Sequence, residues 1–132
     1  MKLRLPTTLP DDLEDLVQRT IGCLIAVHRE LGSGMNEDVY AAATQIELTD
    51  RGIRFEAEKL LPVRYHGRLI GEDRVDLLVE NRLVVELKTV ERLHPTHIAQ
   101  VVTYLKLTGA SIGLLANFNV PFLKEGLRRI VL

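Results

Sequence analysis

The sequence predicts an α/β protein in which helices flank a mixed β-sheet. Apolar residues recur at helical spacing in the first third of the chain, at alternating positions between residues 55 and 90, and again at helical spacing over 95–108. The predicted order is α-α-β-β-β-α-β, followed by a tail at 127–132 that forms a short strand or a helical turn. A helix between the third and fourth strands implies a parallel, right-handed crossover.

Two amino-terminal helices are predicted over 11–31 and about 35–51. The apolar stripe of the first helix recurs every three or four residues, which is typical of one buried helical face. In the second helix the predicted buried residues are Val39, Tyr40, Ala43 and Ile46. Caps and glycine stops are predicted at Asp11 or Asp12, Gly32, Ser33 and Gly52.

The strands are predicted from alternation and from one continuous apolar run. The first strand covers 55–65, and the dipeptide at 66–67 is a turn. The second and third strands cover 74–80 and 82–90, and the run at 111–118 is the fourth. The short connection between the second and third strands makes these two a hairpin.

Composition sets limits on the class of protein. The 132 residues are enough for one domain with its own core. The 17 basic and 18 acidic side chains give a net charge of −1, which does not favour a nucleic-acid partner but leaves room for a local basic patch. The one cysteine, Cys23, cannot form an internal disulfide, so we expect a reducing, cytoplasmic setting. No apolar run is long enough for a membrane span, and the amino terminus lacks the apolar core of a signal peptide.

The predicted hairpin brings two carboxylates together. Folding the chain at Asn81 places Leu77 opposite Val85 and Asp76 opposite Glu86. A slip of one residue would turn every apolar side chain out of the core, so the register is strongly specified. The apolar face of the hairpin comprises Val75, Leu77, Val79, Leu83, Val85 and Leu87.

These two carboxylates predict a site for a cation. Opposite side chains on a hairpin lie about 5 Å apart at Cβ, so Asp76 and Glu86 repel unless a cation joins them. Mg²⁺ prefers carboxylate oxygens and keeps waters, and Lys88, on the same face as Glu86, is placed to act on such a water. A solvated sheet face, with Asp76 and Arg74 as a surface pair, explains the same spacing and stays open as an alternative.

Several longer motifs resemble a known family. The stretch "GMNEDVY" contains the pattern G-x-x-E-x-x-Y at Gly34, Glu37 and Tyr40, and it precedes "RVDLLVENRLVVELKTV", "HIAQVVTYLKLTG" and "IGLLANFNVPFLKEGLRRIVL". From about residue 15 onward the chain resembles the GxxExxY protein family, which is placed in the PD-(D/E)XK nuclease superfamily. The resemblance implies a single domain over 1–132 with a restriction-endonuclease-like fold.

The resemblance also implies roles for individual residues. Asp76 matches the superfamily's metal-binding aspartate, although Val75 precedes it where many members have proline. The implied catalytic residues are Asp76, the E-x-K pair Glu86 and Lys88, and the helical polar residue Gln100. The implied ligands of Mg²⁺ or Mn²⁺ are Glu37, Asp76, Glu86 and the backbone carbonyl of Leu87. Glu37 is equally explained as a first-turn acid that favours the helix dipole, and Tyr40 as a packing residue whose hydroxyl bonds to a neighbour.

Two functions therefore stay open. One is a Mg²⁺- or Mn²⁺-dependent endo- or exonuclease acting on DNA or RNA, and the other is a non-catalytic module that keeps the fold and binds nucleic acid or protein. Few aromatic residues are available to stack on single strands. By analogy with enzymes of this fold, a homodimer is expected. Basic residues available to contact phosphates are Arg64, Arg68, Arg74, Arg92, Lys106, Lys124, Arg128 and Arg129.

Overall fold

The computed structural model describes residues 7–132, which form a five-stranded mixed sheet with helices on both faces. The sheet order is β1-β2-β3-β4-β5, and β3 and β4 pair in parallel whereas the other neighbours are antiparallel. The elements are α1 (Asp11–Leu31), α2 (Glu37–Asp50), β1 (Phe55–Tyr65), β2 (Arg68–Val79), β3 (Leu83–Lys88), α3 (Pro95–Thr108), β4 (Ile112–Asn117) and β5 (Leu127–Val131), with a 3₁₀ turn at Leu123–Gly126 before β5. The predicted fold class and element order are confirmed, and the tail is a strand.

One face of the sheet packs against α1 and α2. Leu16 and Leu24 of α1 are buried in the same apolar cluster as Leu77, Val85 and Leu114 of the central strands. Each fully buried side chain of this size contributes about 1.5–3 kcal/mol relative to an exposed one. The alternating apolar residues of the hairpin thus define the main core.

The other face packs against α3. Val101 and Leu105 of the helix meet Val84 and Leu115 of the sheet. Gly113 of β4 permits this close approach, because a Cβ at this position would lie 2.5 Å from Cγ1 of Val101. The helix that follows β3 is therefore held close over β4 and near its parallel neighbour β3, which carries Glu86 and Lys88.

The hairpin between β2 and β3 has the predicted register. Leu77 pairs with Val85, and Val79 pairs with Leu83. The turn residues Glu80 and Asn81 both have positive φ, at 52° and 57°. Two central residues of this conformation form the turn type that matches the twist of paired strands.

The length of β2 and the placement of Val75 differ from the prediction. The strand begins at Arg68 instead of residue 74, and it pairs with β1 along the whole length of that strand. Val75 packs with Leu61 in the cluster under α3, not with Leu77 on the opposite face. Glu58, on the neighbouring strand, has a φ of 51°, which interrupts the regular alternation of β1 between these two layers.

The second helix begins later and turns a different face inward than predicted. It begins at Glu37, after Asn36, so Ser33 is not its cap. Its buried residues are Tyr40, Thr44 and Leu48. The expected core residues Val39 and Ile46 are 40% and 61% exposed. The ring of Tyr40 stacks on Phe118, and this contact sets the rotation of the helix.

The first helix has the predicted bounds without the predicted cap. It follows Pro10, and no side chain caps it; Asp12 instead forms an ion pair with Arg82 at 2.6 Å. Farther along, Glu14 is buried and bonds to Arg129 of β5 at 2.8 Å, and Cys23 is fully buried as expected. Among residues 7–132, no helix has both the length and the apolar character that a membrane crossing requires.

Candidate active site

The pairing of β2 and β3 opens at Asp76 and Glu86. Residues 77–79 form the regular ladder with β3. Beyond it, side chains act as the acceptors: Oδ2 of Asp76 accepts the backbone N–H of Leu87 at 2.9 Å, and Oε1 of Glu86 accepts that of Asp76 at 3.4 Å. Each carboxylate thus accepts a backbone N–H from the partner strand, and the structure brings Asp76 and Glu86 together.

Lys88 lies beside Glu86 and beneath α3. Its Nζ is 3.5 Å from Oε2 of Glu86 and donates to Oε1 of Gln100 at 3.0 Å. The side chains of Lys88 and Glu86 are 18% and 5% exposed, so the ammonium group keeps limited access to solvent. Gln100 is on the first half of α3, which places an amide oxygen over the strand. The structure therefore brings three of the predicted catalytic residues into direct contact.

Glu37 lies within electrostatic range of this group. Partial desolvation and then the neighbouring Asp76 carboxylate raise the pKa of Glu37, whereas Lys88 opposes the shift. No three His, Cys, Asp or Glu side chains in residues 7–132 are close enough together to enclose a metal ion. Glu37 is thus the outlying member of the predicted ligand set.

Tyr40 holds the segment that precedes Glu37. Its hydroxyl donates to the carbonyl of Gly32 and accepts the backbone N–H of Met35 at 3.1 Å. Its ring lies against Phe118 with centroids 4.3 Å apart. The predicted packing role of Tyr40 is confirmed. Because these bonds close the link between α1 and α2, they fix the position at which Glu37 begins its helix.

The positive charge of Lys88 does not fully neutralise the carboxyl groups of Asp76 and Glu86. Burial, and then the Asp76 carboxylate, raises the pKa of Glu86 to about 8, although Lys88 opposes this. Burial and the charge of Glu86 also raise the pKa of Tyr104, which lies on α3. A proton therefore resides on the pair at neutral pH, and a bound cation would neutralise the same negative charge.

The backbone of β3 adds a carbonyl oxygen suited to metal binding beside Asp76 and Glu86. The carbonyl of Lys88 accepts the N–H of Phe118 at 2.9 Å and so points toward β4. The backbone N–H and carbonyl of Leu87 point the other way, toward β2, because this N–H donates to Oδ2 of Asp76. This carbonyl consequently faces the opened end of the ladder. Two carboxylates and a carbonyl are the hard oxygen ligands that Mg²⁺ and Mn²⁺ favour, so the donor set fits a small divalent cation.

Asn117 and Asp73 hold segments around the candidate site, although the sequence pattern did not identify them. Asn117 is buried next to Lys88 in the β3–β4 register, and its amide bonds both the N–H and the carbonyl of Val90, at 3.0 and 2.8 Å. Asp73 accepts a long hydrogen bond from the hydroxyl of Tyr104 at 3.5 Å. The available signal for Asn117 was a polar residue that closes an otherwise apolar strand.

A comparison with protein families agrees with this geometry. Residues 14–130 match the family model described as the PD-(D/E)XK nuclease superfamily. The chain belongs to the PD-(D/E)XK nuclease superfamily. The matched segment contains every site residue from Glu37 to Gln100 of this PD-(D/E)XK protein. Among curated proteins, no sequence matches it significantly.

Proposed function

We propose that this PD-(D/E)XK protein hydrolyses phosphodiester bonds in DNA or RNA with the help of Mg²⁺ or Mn²⁺. The observation that carries the proposal is the position of the Lys88 ammonium group, between Glu86 and Gln100 and on the side of the hairpin where the ladder opens at Asp76. A lysine held in this way beside two carboxylates supplies the positive charge and the proton-transfer group that hydrolysis requires.

The carboxylates of Asp76 and Glu86 and the carbonyl of Leu87 would hold the cation, and Glu37 would complete the set from α2. A cation bound there would neutralise the carboxylates and lower the pKa of a coordinated water. The chain supplies rigidity: Asp76 is fixed by the N–H of Leu87, and the start of α2 is fixed by Tyr40. Glu37 has the most freedom to adjust, because it is the exposed member.

Lys88 would act on the water or on the phosphate. An ammonium group has three N–H donors, and the hydrogen bond to Gln100 occupies one of them, while Glu86 is an ion-pair partner 3.5 Å away. A remaining N–H would donate to the attacking water or to a phosphate oxygen as negative charge develops. Gln100 accepts from the ammonium group and orients it, which makes Gln100 a positioning residue for Lys88.

The second candidate is a non-catalytic module that binds nucleic acid or protein. The separation of Glu37 from the other two carboxylates supports it, since residues 7–132 contain no closed set of three metal-binding side chains. The two candidates differ in one measurable property. A nuclease must bind the divalent cation through Asp76, whereas a module that keeps only the fold has no such requirement.

A calorimetric titration of Mn²⁺ and Mg²⁺ distinguishes the two. We expect saturable binding to the wild type, loss of binding in Asp76→Asn, and unchanged binding in Asp50→Asn, which removes an exposed carboxylate at the end of α2. Circular dichroism checks that each variant is folded. Absence of binding to the wild type at millimolar metal would favour the non-catalytic module.

We also propose the finer assignments that the sequence suggested. Gly34, Glu37 and Tyr40 support membership in the GxxExxY family within the superfamily. A single domain over residues 1–132, a cytoplasmic location and a homodimer stay predictions. Analytical ultracentrifugation of the purified chain tests the homodimer directly.

A further inference from the structure

The amino-terminal half of β2 extends beyond the central sheet. Only residues 77–79 of β2 pair with β3, whereas β1 pairs with β2 from Val79 back to Arg68. Residues 59–73 therefore include a two-stranded ribbon and its turn, which we call the β1–β2 arm. At about 3.3 Å per residue, the end of the arm at Arg68 is roughly 26 Å along the strand from Asp76.

The positive charge of the β1–β2 arm lies toward its turn, and the two acidic residues of the arm, Glu72 and Asp73, lie at its base. Between residues 59 and 71 the chain has two arginines, one lysine and one histidine and no Asp or Glu, although the net charge of the whole chain is −1. Lys59 bonds to Glu56 at 2.9 Å. Arg64 and Arg68 are exposed, and neither takes part in the ion pairs of the described residues. Their charges are available to an anionic partner.

The same arm exposes apolar and aromatic side chains. Leu60, Tyr65, Leu69 and Ile70 are 58%, 64%, 56% and 66% exposed. A shift in register between Val63 and Arg64 leaves Ile70 in a bulge, which increases the local twist of a ribbon. The ring of Tyr65 stacks on that of His66 with centroids 4.2 Å apart. Beyond Leu61, which is buried in the cluster under α3, this two-stranded ribbon buries little surface and gains stability from a partner.

We propose that the β1–β2 arm docks in the major groove of duplex DNA. This inference rests on the proposed function, and it names duplex DNA as the substrate. The major groove of B-DNA admits a two-stranded β-ribbon, whereas the major groove of A-form RNA is too deep and narrow for side chains to read. Arg64 and Arg68 contact phosphates, and the exposed apolar residues lie against base edges. Because the arm continues β2 from Asp76, one duplex reaches both.

Fluorescence anisotropy with a labelled DNA duplex tests the arm separately from hydrolysis. EDTA in the buffer prevents cleavage. We expect the double variant Arg64→Glu/Arg68→Glu to bind at least ~10-fold more weakly, and its salt dependence to fall by about 0.9 in log–log slope for each lost phosphate contact. The single variant Arg68→Glu has a matched control in Arg29→Glu, which makes the same charge change at an exposed arginine outside the arm and retains the wild-type affinity.

Several outcomes would overturn the inference. These are no DNA binding by the wild type, equal binding by the arm variant, equal weakening in the control variant, or equal affinity for an RNA duplex of the same sequence. A monomer–dimer equilibrium that the arm variant abolishes, without an effect on DNA, would assign the arm to a second copy of the chain. Arm-dependent DNA binding without any cleavage in Mg²⁺ or Mn²⁺ would refute the proposed hydrolysis but leave the arm as a DNA-binding element.

Discussion

The two halves of β2 belong to one strand but have different environments. Residues 77–79 pair on both sides and are buried between helical layers. Residues 68–72 pair only with β1, and every one of them is exposed. Asp76 lies at the boundary, where backbone pairing with β3 has ended and side chains have become the acceptors. The site residue is therefore held by the rigid half and is open toward the projecting half.

This difference shows how pairing that ends early leaves room for the candidate site. β3 runs to Lys88, but its pairing with β2 stops at Leu77 and Val85, so Asp76 and Glu86 lie where the regular pairing of the two strands has ended. The buried half supplies positional accuracy to Asp76 and Glu86. The exposed half supplies reach, and Arg68 at its end supplies a positive charge. Substitutions in each half test this division of roles.

Lys88→Ala tests the chemistry of the buried half. We expect the rate of DNA cleavage at saturating substrate to fall on the order of 10²- to 10⁴-fold, because the proton-transfer group is lost. Arg29→Ala, which removes an exposed basic side chain in the last turn of α1, should retain the wild-type rate. Cleavage of labelled duplex in Mg²⁺ or Mn²⁺ measures both. Full activity in a pure, folded Lys88→Ala preparation would argue strongly against the proposed role.

Leucine truncation compares the stability of the two halves. Leu77→Ala removes a fully buried side chain and should lower the free energy of unfolding by about 2–5 kcal/mol. Leu69→Ala removes an exposed side chain on the β1–β2 arm and should change it by no more than about 0.5 kcal/mol. Urea denaturation measures both variants. Equal losses would mean that the arm is packed as firmly as the core.

The metal-free protein should lose stability as the pH rises. Glu86 has a raised pKa of about 8 in the folded state, above its ordinary value of 4.5, so the unfolded chain releases this proton first. Stability from this group is complete below pH 4.5 and declines up to about pH 8, by at most about 1.4 kcal/mol per pH unit. Urea denaturation in EDTA should show this slope in the wild type and a flatter one in Glu86→Gln. An unchanged slope in the variant would contradict the assignment, and Glu72→Gln, on the exposed half, is the control.

Tyr40→Phe should have the smallest effect. It keeps the ring on Phe118 but removes the hydroxyl that bonds to Gly32 and Met35, which should cost about 1 kcal/mol in urea denaturation. Because this hydroxyl fixes the start of α2, calorimetry should also show weaker Mn²⁺ binding. Tyr65→Phe on the β1–β2 arm should change neither quantity, and equal behaviour of the two variants would remove the link between Tyr40 and Glu37.

Much of the fold and of the site could be predicted from local pattern. The apolar alternation of β2 and β3 allows only one register, and extending it by one residue predicts Asp76 beside Glu86, where side-chain hydrogen bonds replace the regular pairing. The spacing of two residues places Lys88 beside Glu86. Helical periodicity with a proline start and a glycine stop gave the bounds of α3, where Gly109 adopts the left-handed conformation. Each of these features depends on residues that are close in sequence or that lie opposite one another in the hairpin.

The remaining features depend on contacts between distant segments. The rotation of α2 is set by the stacking of Tyr40 on Phe118, and the contact of Lys88 with Gln100 is set by the close approach of α3 at Gly113. The extension of β2 to Arg68 follows from pairing with β1, since its exposed half has no apolar alternation to reveal it. The residues that share a face can be read from the sequence, because side-chain periodicity is a property of the local backbone. The layers that those faces meet, and the part of β2 that projects, cannot be read in this way, because they depend on packing between segments that come together only on folding.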